Sequence, residues 1–186
     1  MQKPMNEPIV PEAIAPELPP EPGWTPIPTF TNPHRKGRPF LSDRGDDDRV
    51  RIRFFERDAD GVLMGKVWFG PGSEGAPGVV HGGATMAVLD HALGRCAWAA
   101  GHVSVTGRLT TEFKERIPIE TILWFTARVE KTEGRKISVS GEIMDPEKDK
   151  VMARAEALFI VITPERFMDI AQPEGGVVDL GTQPEQ

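Results

Sequence analysis

A single long helical segment, set among strand-like segments, constrains the fold of this chain most strongly. Residues 81–101 read HGGATMAVLDHALGRCAWAAG; they begin near two glycines, contain many good helix formers and stop at Gly101. The segment is apolar nearly all round, so we expect the helix to be buried and not to lie on the surface. The sequence therefore predicts a helix at the centre of the molecule.

The segment before the helix has the pattern of a β-hairpin. In residues 49–57 apolar side chains alternate with Arg51 and Arg53, the period-two signature of a half-buried strand. Asp60-Gly61 is typical of a hairpin turn, and residues 62–69 then form the returning strand. We expect one face of this hairpin in the core and the other in water.

Four further strands are predicted after the helix. They are separated by turn signals at Ile117-Pro118, Glu133-Gly134 and Asp145-Pro146. The predicted strands are residues 103–113, 122–131, 136–144 and 150–162. One helix cannot cover both faces of a sheet, so this order predicts an α+β fold in which an antiparallel sheet wraps round one long central helix.

Proline sets the N-terminal region apart from the rest. Eleven of the 18 prolines lie in the first forty residues, and proline disfavours regular structure because it lacks a backbone donor. We predict a proline-rich extension over 1–45, a folded domain over 46–170 and a polar tail over 171–186. The extension is expected to be disordered or loosely docked, unless Trp24, Ile27 and Phe30 pack its second half on the domain.

Charge and composition limit the kinds of binding partner that we expect. The net charge of −6 and pI near 5.3 argue against nucleic acid as a partner, because nucleic-acid binding normally needs a basic face. No apolar run approaches the roughly 20 residues that span a bilayer, so we expect no membrane partner. The first residues lack the pattern of a secretory signal, and a single cysteine, Cys96, fits a reducing compartment. We therefore expect a cytoplasmic protein.

Asp90 is the first candidate for chemistry. Aspartate is a poor residue for a helix interior and is rarely buried without a partner. Its helical neighbours, which include Met86 and Gly94, are apolar or small. Such a carboxylate either has a structural partner or faces a cleft, where it serves as a general base or nucleophile. Both interpretations stay open on the residues alone.

Two other features lie close to Asp90 in sequence. His81-Gly82-Gly83 opens the helix, where free N–H groups and the macrodipole favour a developing oxyanion, although a flexible junction has the same composition. Thr106 opens the strand after the helix, where its hydroxyl can orient Asp90 or a water molecule. A threonine in a strand is otherwise ordinary. A metal site is not predicted, because the histidines around Asp90 share no helical face.

Together these residues resemble a known family. The run PGVVHGGATMAVLDHALG is similar to the signature of hotdog-fold acyl-CoA thioesterases of the PaaI-like branch, with His81 and Asp90 nine residues apart. VTGRLTTEFKERIPIE resembles the family strand that carries a catalytic hydroxyl, here Thr106. The turn ending in Arg135-Lys136 looks like one that contacts CoA phosphates. The resemblance covers about residues 48–162, and the chain departs from it at Ser73-Glu74-Gly75, where many relatives carry Asn or Gln.

The resemblance implies hydrolysis of an acyl-CoA thioester to a free acid and CoA. Asp90 is then the base or nucleophile, the Gly82 amide polarises the carbonyl, and Gly83 binds substrate. Thr106 orients the water or the carboxylate, and His81 braces the turn. No metal or other cofactor is implied. Two alternatives are a hotdog acyl-thioester dehydratase or hydratase and a non-catalytic acyl-CoA-binding module.

The spacing of Gly82 and Asp90 adds a prediction about assembly. Eight residues of helix separate them by about 12 Å, too far for both to reach one thioester carbonyl. A two-fold partner with an antiparallel helix brings Gly82 of one subunit to Asp90 of the other. We therefore expect a homodimer, or a dimer of dimers, with shared sites. The acyl chain itself is not predicted.

Overall fold

Seven strands and one long helix make up the protein in a computed structural model that describes residues 15–28, 40–41, 43, 48–163 and 165–166. In chain order the elements are β1 (Trp24–Pro26), β2 (Val50–Arg57), β3 (Leu63–Phe69), α1 (Gly82–Ala99), β4 (Ser104–Phe113), β5 (Thr121–Glu133), β6 (Lys136–Asp145) and β7 (Lys150–Val161). A short 3₁₀ turn, Pro71–Ser73, precedes α1. The helix and the six predicted strands are confirmed to within two residues at each end.

All the strands join in one antiparallel sheet. Its order is β1-β2-β3-β5-β6-β7-β4, so β1 and β4 form the two edges. Three of the predicted turns connect hairpins, and Gly61 and Gly134 adopt the positive φ values of 69° and 57° that glycine tolerates. The sheet curls round α1, which contacts β4, β5, β6 and β7. The predicted wrapping of a sheet round one helix is confirmed.

The core lies between the helix and the concave face of the sheet. Leu89, Leu93 and Ala97 on α1 are fully buried, and Phe125 and Phe159 pack from the strands. Burying side chains of this size stabilises the fold by about 2 kcal/mol each. This packing fixes which face of α1 points inward and which points away from the sheet.

The prediction that α1 is buried holds on the side that faces the sheet, whereas the opposite side is accessible in the single chain. Gly83, Met86 and His91 are exposed, and Asp90 is only partly buried. The sheet covers one side of the helix and leaves this stripe accessible, although Phe54 packs against His91 at its margin. Most residues of α1 are apolar or small, and composition alone does not show how far a sheet reaches round a helix.

The prediction that the first hairpin is half-buried is wrong. On the outward face of β2, Arg51 is 6% exposed and Phe55 is completely buried. Residues 15–28 lie across this face, where Leu18 is fully buried in a small cluster with Trp68. The N-terminal residues therefore give the hairpin a second, separate buried layer.

The strand β1 was not predicted. Trp24–Pro26 pairs with β2 at the edge of the sheet, where Pro26 is tolerated because an edge strand need not donate every hydrogen bond. Trp24 packs on Phe55 and Trp124, with ring centroids 5.6 and 4.9 Å away. Docking through Trp24 and Ile27 is thus observed, whereas Phe30 and the tail 171–186 lie outside the described residues.

Within the described ranges, α1 and the other helical residues include no segment long and apolar enough to cross a bilayer.

Candidate active site

The first turn of α1 is organised by His81. The residue is the N-cap in extended conformation, and its Nδ1 accepts a 2.9 Å hydrogen bond from the Gly83 N–H. The accepting nitrogen must be unprotonated, so the bond selects one form of the ring. The Gly83 amide is thereby already engaged, whereas the Gly82 N–H has no acceptor among the described residues. Of the two predicted glycine amides, the one at Gly82 is available to a ligand.

Both glycines of this turn have close neighbours. A Cβ added at Gly83 would lie 2.9 Å from His81 Nδ1 and would push the capping ring away. A Cβ at Gly82 would lie 3.3 Å from Cζ of Phe113. Any side chain at either position therefore crowds the turn that presents the free N–H.

The loop before the helix holds His81 from behind. The His81 N–H donates to the Ser73 carbonyl at 2.8 Å, and the Glu74 carboxylate accepts from the Gly78 N–H. Gly75 lies so close that a Cβ would be 2.9 Å from His81 Cα. Glu74 lies where the chain departs from the family pattern, and its carboxylate therefore stabilises its own loop.

Asp90 and Thr106 are brought together across the helix–sheet interface. Thr106 Oγ1 donates a 2.8 Å hydrogen bond to Asp90 Oδ1. Asp90 Oδ2 accepts no hydrogen bond from the residues described. The pair is accessible from the open side of α1, where Thr106 is exposed and Asp90 is partly buried. One carboxylate oxygen is thus fixed and the other is free to meet a ligand.

A β-bulge at Gly107 aims Thr106 at the helix. The pairing of β4 with β7 shifts register between Thr106 and Arg108. Because of this extra residue, Thr106 and Leu109 both face α1, although an odd spacing would otherwise put them on opposite faces. A Cβ at Gly107 would lie 3.1 Å from Ile160, so the bulge favours glycine. Sequence reasoning missed this residue, and a glycine inside a strand pattern was the available signal.

The remaining predicted residues lie elsewhere on the surface. Gly82 and Asp90 stay about 12 Å apart along α1, so one chain does not bring them together. Arg135 and Lys136 are exposed at the β5–β6 turn, and Arg135 Nε donates to the Val161 carbonyl at 3.1 Å. The register places this turn two strands, or about 10 Å, from Thr106.

Other titratable groups are excluded from the site by their surroundings. Cys96 faces the core, and burial raises the pKa of its thiol to about 11 despite a backbone hydrogen bond from Val129 that lowers it. It is therefore protonated and shielded at neutral pH. His91 follows Asp90 but packs against Phe54, with ring centroids 5.4 Å apart. No group of three His, Cys, Asp or Glu side chains within the described ranges is arranged to hold a metal ion.

A groove of about 710 Å³ lies on the outward face of the sheet, away from Asp90. Its lining includes Arg128 and Arg154, which pair with Glu130 and Glu142 respectively. These charges neutralise one another across the strands. The groove is therefore separate from the Asp90 site and presents little net charge to a ligand.

Comparison with known proteins identifies relatives by sequence. The thioesterase superfamily profile matches residues 77–152, which include His81, Asp90 and Thr106. Acyl-coenzyme A thioesterase THEM4 of Xenopus laevis is 31% identical over 154 residues, covering 76% of this chain and 69% of that protein. THEM4 of Rattus norvegicus is 36% identical over 93 residues, covering 50% of this chain and 40% of that protein. The chain thus spans less than half the length of the rat relative.

Solved structures agree on the fold. A crystallised thioesterase superfamily protein is 30% identical, with a TM-score of 0.55 over 59% of this chain and 53% of its own. A Streptococcus mutans protein crystallised with acetyl-CoA is 16% identical, with a TM-score of 0.56 over 68% of this chain and 94% of its own. These likenesses, and the sheet curled round α1, establish the hotdog fold. With the curated relatives, they show that the chain belongs to the thioesterase superfamily.

Proposed function

We propose that this protein is an acyl-CoA thioesterase, which hydrolyses an acyl-CoA thioester to a free acid and CoA. The observation that carries the proposal is the 2.8 Å hydrogen bond from Thr106 to Asp90 on the open side of α1. Aspartate is unfavourable inside a helix, so helix stability does not explain why this carboxylate is held in one orientation. The names of the THEM4 relatives support the same reaction.

Asp90 supplies the base or the nucleophile. Thr106 holds Oδ1, so Oδ2 is directed at the substrate side. In one route Oδ2 takes a proton from water, whose oxygen attacks the thioester carbon and expels CoA thiolate. In the other, Oδ2 attacks the carbon directly and expels CoA thiolate, and water then cleaves the resulting anhydride to give the free acid and the regenerated carboxylate. Thr106 fixes the carboxylate in both routes.

The Gly82 amide supplies the oxyanion donor. It is the first N–H of α1, where the helix dipole adds partial positive charge. His81 fixes the turn by engaging Gly83, which leaves the Gly82 N–H pointing away from the helix. A single donor of this kind contributes about 3 kcal/mol to lowering the barrier.

Two subunits together complete each site. In the proposed homodimer, antiparallel copies of α1 place Gly82 of one chain beside Asp90 of the other. Met86 lies midway between these two residues, so it meets its own copy at the symmetry axis. Residues 82, 86 and 90 are spaced by four and share one helix face, which is exposed or half-exposed in the single chain. The long edge strand β4 offers further unpaired backbone groups beside this face.

Arg135 and Lys136 are the proposed contacts for CoA phosphates. Both are exposed cations, and the sheet places them about 10 Å from Thr106. Gly83 is proposed to contact substrate through its Cα, since its N–H is engaged by His81.

Hydrolysis of an acyl-CoA panel, read by released thiol, tests the function. Asp90→Asn should lower kcat by more than about a hundredfold, because the amide is neither a base nor a nucleophile. Asp149→Asn, at an exposed turn, is the matched control and should retain activity. Wild-type activity in Asp90→Asn would rule out the mechanism. Double-bond change without thiol release would indicate a dehydratase or hydratase, and binding without turnover a binding module.

Mixed dimers test the shared site. Proline is well tolerated at the first helical position, and His81 already has a compatible extended backbone, so Gly82→Pro removes the N–H and adds side-chain atoms next to Phe113. Gly82→Ala keeps the N–H and is the control. Chains carrying Asp90→Asn or Gly82→Pro should each be inactive alone. Their heterodimer has one intact site, so it should regain activity, and a mixture without any gain would contradict sites shared between subunits.

A further inference from the structure

Phe113 is an exposed aromatic residue at the end of β4. Its side chain is 53% exposed, although phenylalanine is usually buried. Its partner across the sheet is Ala153, whose small side chain gives the ring little support. The ring is therefore accessible on the side of the sheet that faces α1.

The ring lies against the residue proposed as oxyanion donor. A Cβ built on Gly82 would be 3.3 Å from Phe113 Cζ and 3.5 Å from Cε1, so the ring edge lies next to that residue. The Gly82 N–H remains without an acceptor among the described residues. An exposed apolar surface thus stands directly beside a free hydrogen-bond donor.

The bulge at Gly107 continues this arrangement along β4. After it, Leu109, Thr111 and Phe113 alternate onto the face that carries Thr106. Their partners on β7 are all alanines, at 157, 155 and 153. Thr111 Oγ1 is buried and has no hydrogen-bond partner among the described residues. This row of side chains on β4 therefore runs beside alanines, from near Thr106, which bonds Asp90, to Phe113, which lies next to Gly82.

From this placement we infer that Phe113 is a specificity-determining residue that contacts the first carbons of the acyl group. The inference rests on the proposed thioesterase function. If the carbonyl oxygen of the substrate accepts from the Gly82 N–H, the carbonyl carbon lies within about 4 Å of that nitrogen. The α-carbon of the acyl group is bonded to this carbonyl carbon and therefore lies close by. Phe113 and the exposed Met86 make the surroundings apolar, which suits an acyl chain better than the amides and phosphates of CoA.

The ring edge limits the width of the substrate at the α-carbon. A straight acyl chain passes along a flat ring, whereas a methyl branch at the α-carbon meets its edge. Phe113 therefore favours unbranched acyl groups over α-branched ones with the same number of carbons. A contact of this size changes selectivity by about tenfold.

Kinetics with butyryl-CoA and isobutyryl-CoA test the inference. Phe113→Ala should raise the kcat/KM ratio of isobutyryl-CoA to butyryl-CoA about tenfold, and Phe113→Leu should give a smaller increase. The inhibition constant of free CoA should not change. Ile122→Ala, an exposed aliphatic residue on the outward face, is the control and should keep the wild-type ratio.

The possible failures are distinguishable. An unchanged ratio in Phe113→Ala, or an equal loss for both substrates, would overturn the inference and leave the thioesterase function intact. A wild-type protein that hydrolyses no member of the acyl-CoA panel would refute the proposed function, and the inference with it.

Discussion

The two ends of the sheet are completed in different ways. At the β1 end, residues 15–28 cover the outward face of β2 and β3, and the buried cations Arg51 and Lys66 are both paired there. At the β4 end, the described chain leaves a ten-residue edge strand uncovered, next to the exposed stripe of α1. Met86, Val105 and Phe113 are exposed at this open end.

The covered end shows how the chain satisfies its own buried charges. Arg51 donates to Asp43 at 2.9 Å, to Glu17 at 3.1 Å and to the Pro16 carbonyl at 2.8 Å. Burial alone would lower the pKa of Arg51, but the bonds to Asp43 and Glu17 outweigh it and raise that pKa. The guanidinium therefore stays charged and holds the N-terminal segment in place.

The difference between the two ends of the sheet indicates where a partner is expected to bind. The covered end combines apolar packing with paired charges and needs nothing further. The open end combines exposed apolar side chains with a half-buried carboxylate and an unpaired amide. These are the features of an interface or ligand site, which is why the proposed dimer and the proposed chemistry share it.

The largest effect is expected from a charge at the centre of the open end. Met86→Glu would place two carboxylates against each other at the proposed symmetry axis, which costs several kcal/mol. The variant should sediment as a monomer and lose about a hundredfold or more of its hydrolysis rate. Ile122→Glu adds the same charge at a site with the same 37% exposure on the outward face, and should stay dimeric. A Met86→Glu variant that is still dimeric and active would contradict the proposal that the open end is the dimer interface.

A smaller effect, on stability, is expected at the covered end. Arg51→Met keeps much of the side-chain volume but leaves Asp43 and two carbonyls without their donor. We expect the free energy of unfolding to fall by about 2 to 3 kcal/mol in urea titrations, less than for a fully buried pair because Glu17 is exposed. Arg57→Met, which breaks an exposed pair, should leave stability nearly unchanged. Equal stability of both variants would show that the N-terminal segment is not held by Arg51.

Removing the hydrogen bond at the open end should have a more limited effect. Thr106→Val keeps the shape of the side chain but leaves Asp90 without its donor, and the lost orientation should raise the activation free energy by about 1.4 kcal/mol. We expect kcat to fall about tenfold while the free energy of unfolding is unchanged. Thr110→Val on the same strand is the control, since Thr110 is exposed and alternates with the inward row. A rate equal to wild type would remove Thr106 from the mechanism.

The smallest effect is expected on the buried face of α1. Cys96 has a pKa raised to about 11 by burial, so its thiolate fraction at pH 8 is about 0.1%. A disulfide thiol reagent at pH 8 should leave native protein unmodified and fully active. The same reagent should titrate one thiol after unfolding in urea, because the chain has one cysteine. Rapid native labelling with loss of activity would show that this face is open as well.

Much of the fold followed from local pattern. A run of helix formers ending at Gly101 located α1, apolar runs located six strands, and glycine or proline marked the turns. The motif around His81 and Asp90 also indicated the family, because such residues must stand at a set spacing along one helix. The bulge at Gly107 was missed, since a glycine in a strand does not show whether it shifts the register.

The residues alone determined the helix, six of the seven strands along the chain and the candidate groups at positions 81, 82, 90 and 106. They did not reveal that residues 15–28 bury Arg51, or that Thr106 bonds Asp90. Those contacts join residues 16 or more positions apart, and no local preference encodes them. Only the curvature of the sheet, set by packing round α1, decided which side chains meet and which face of the helix stays open.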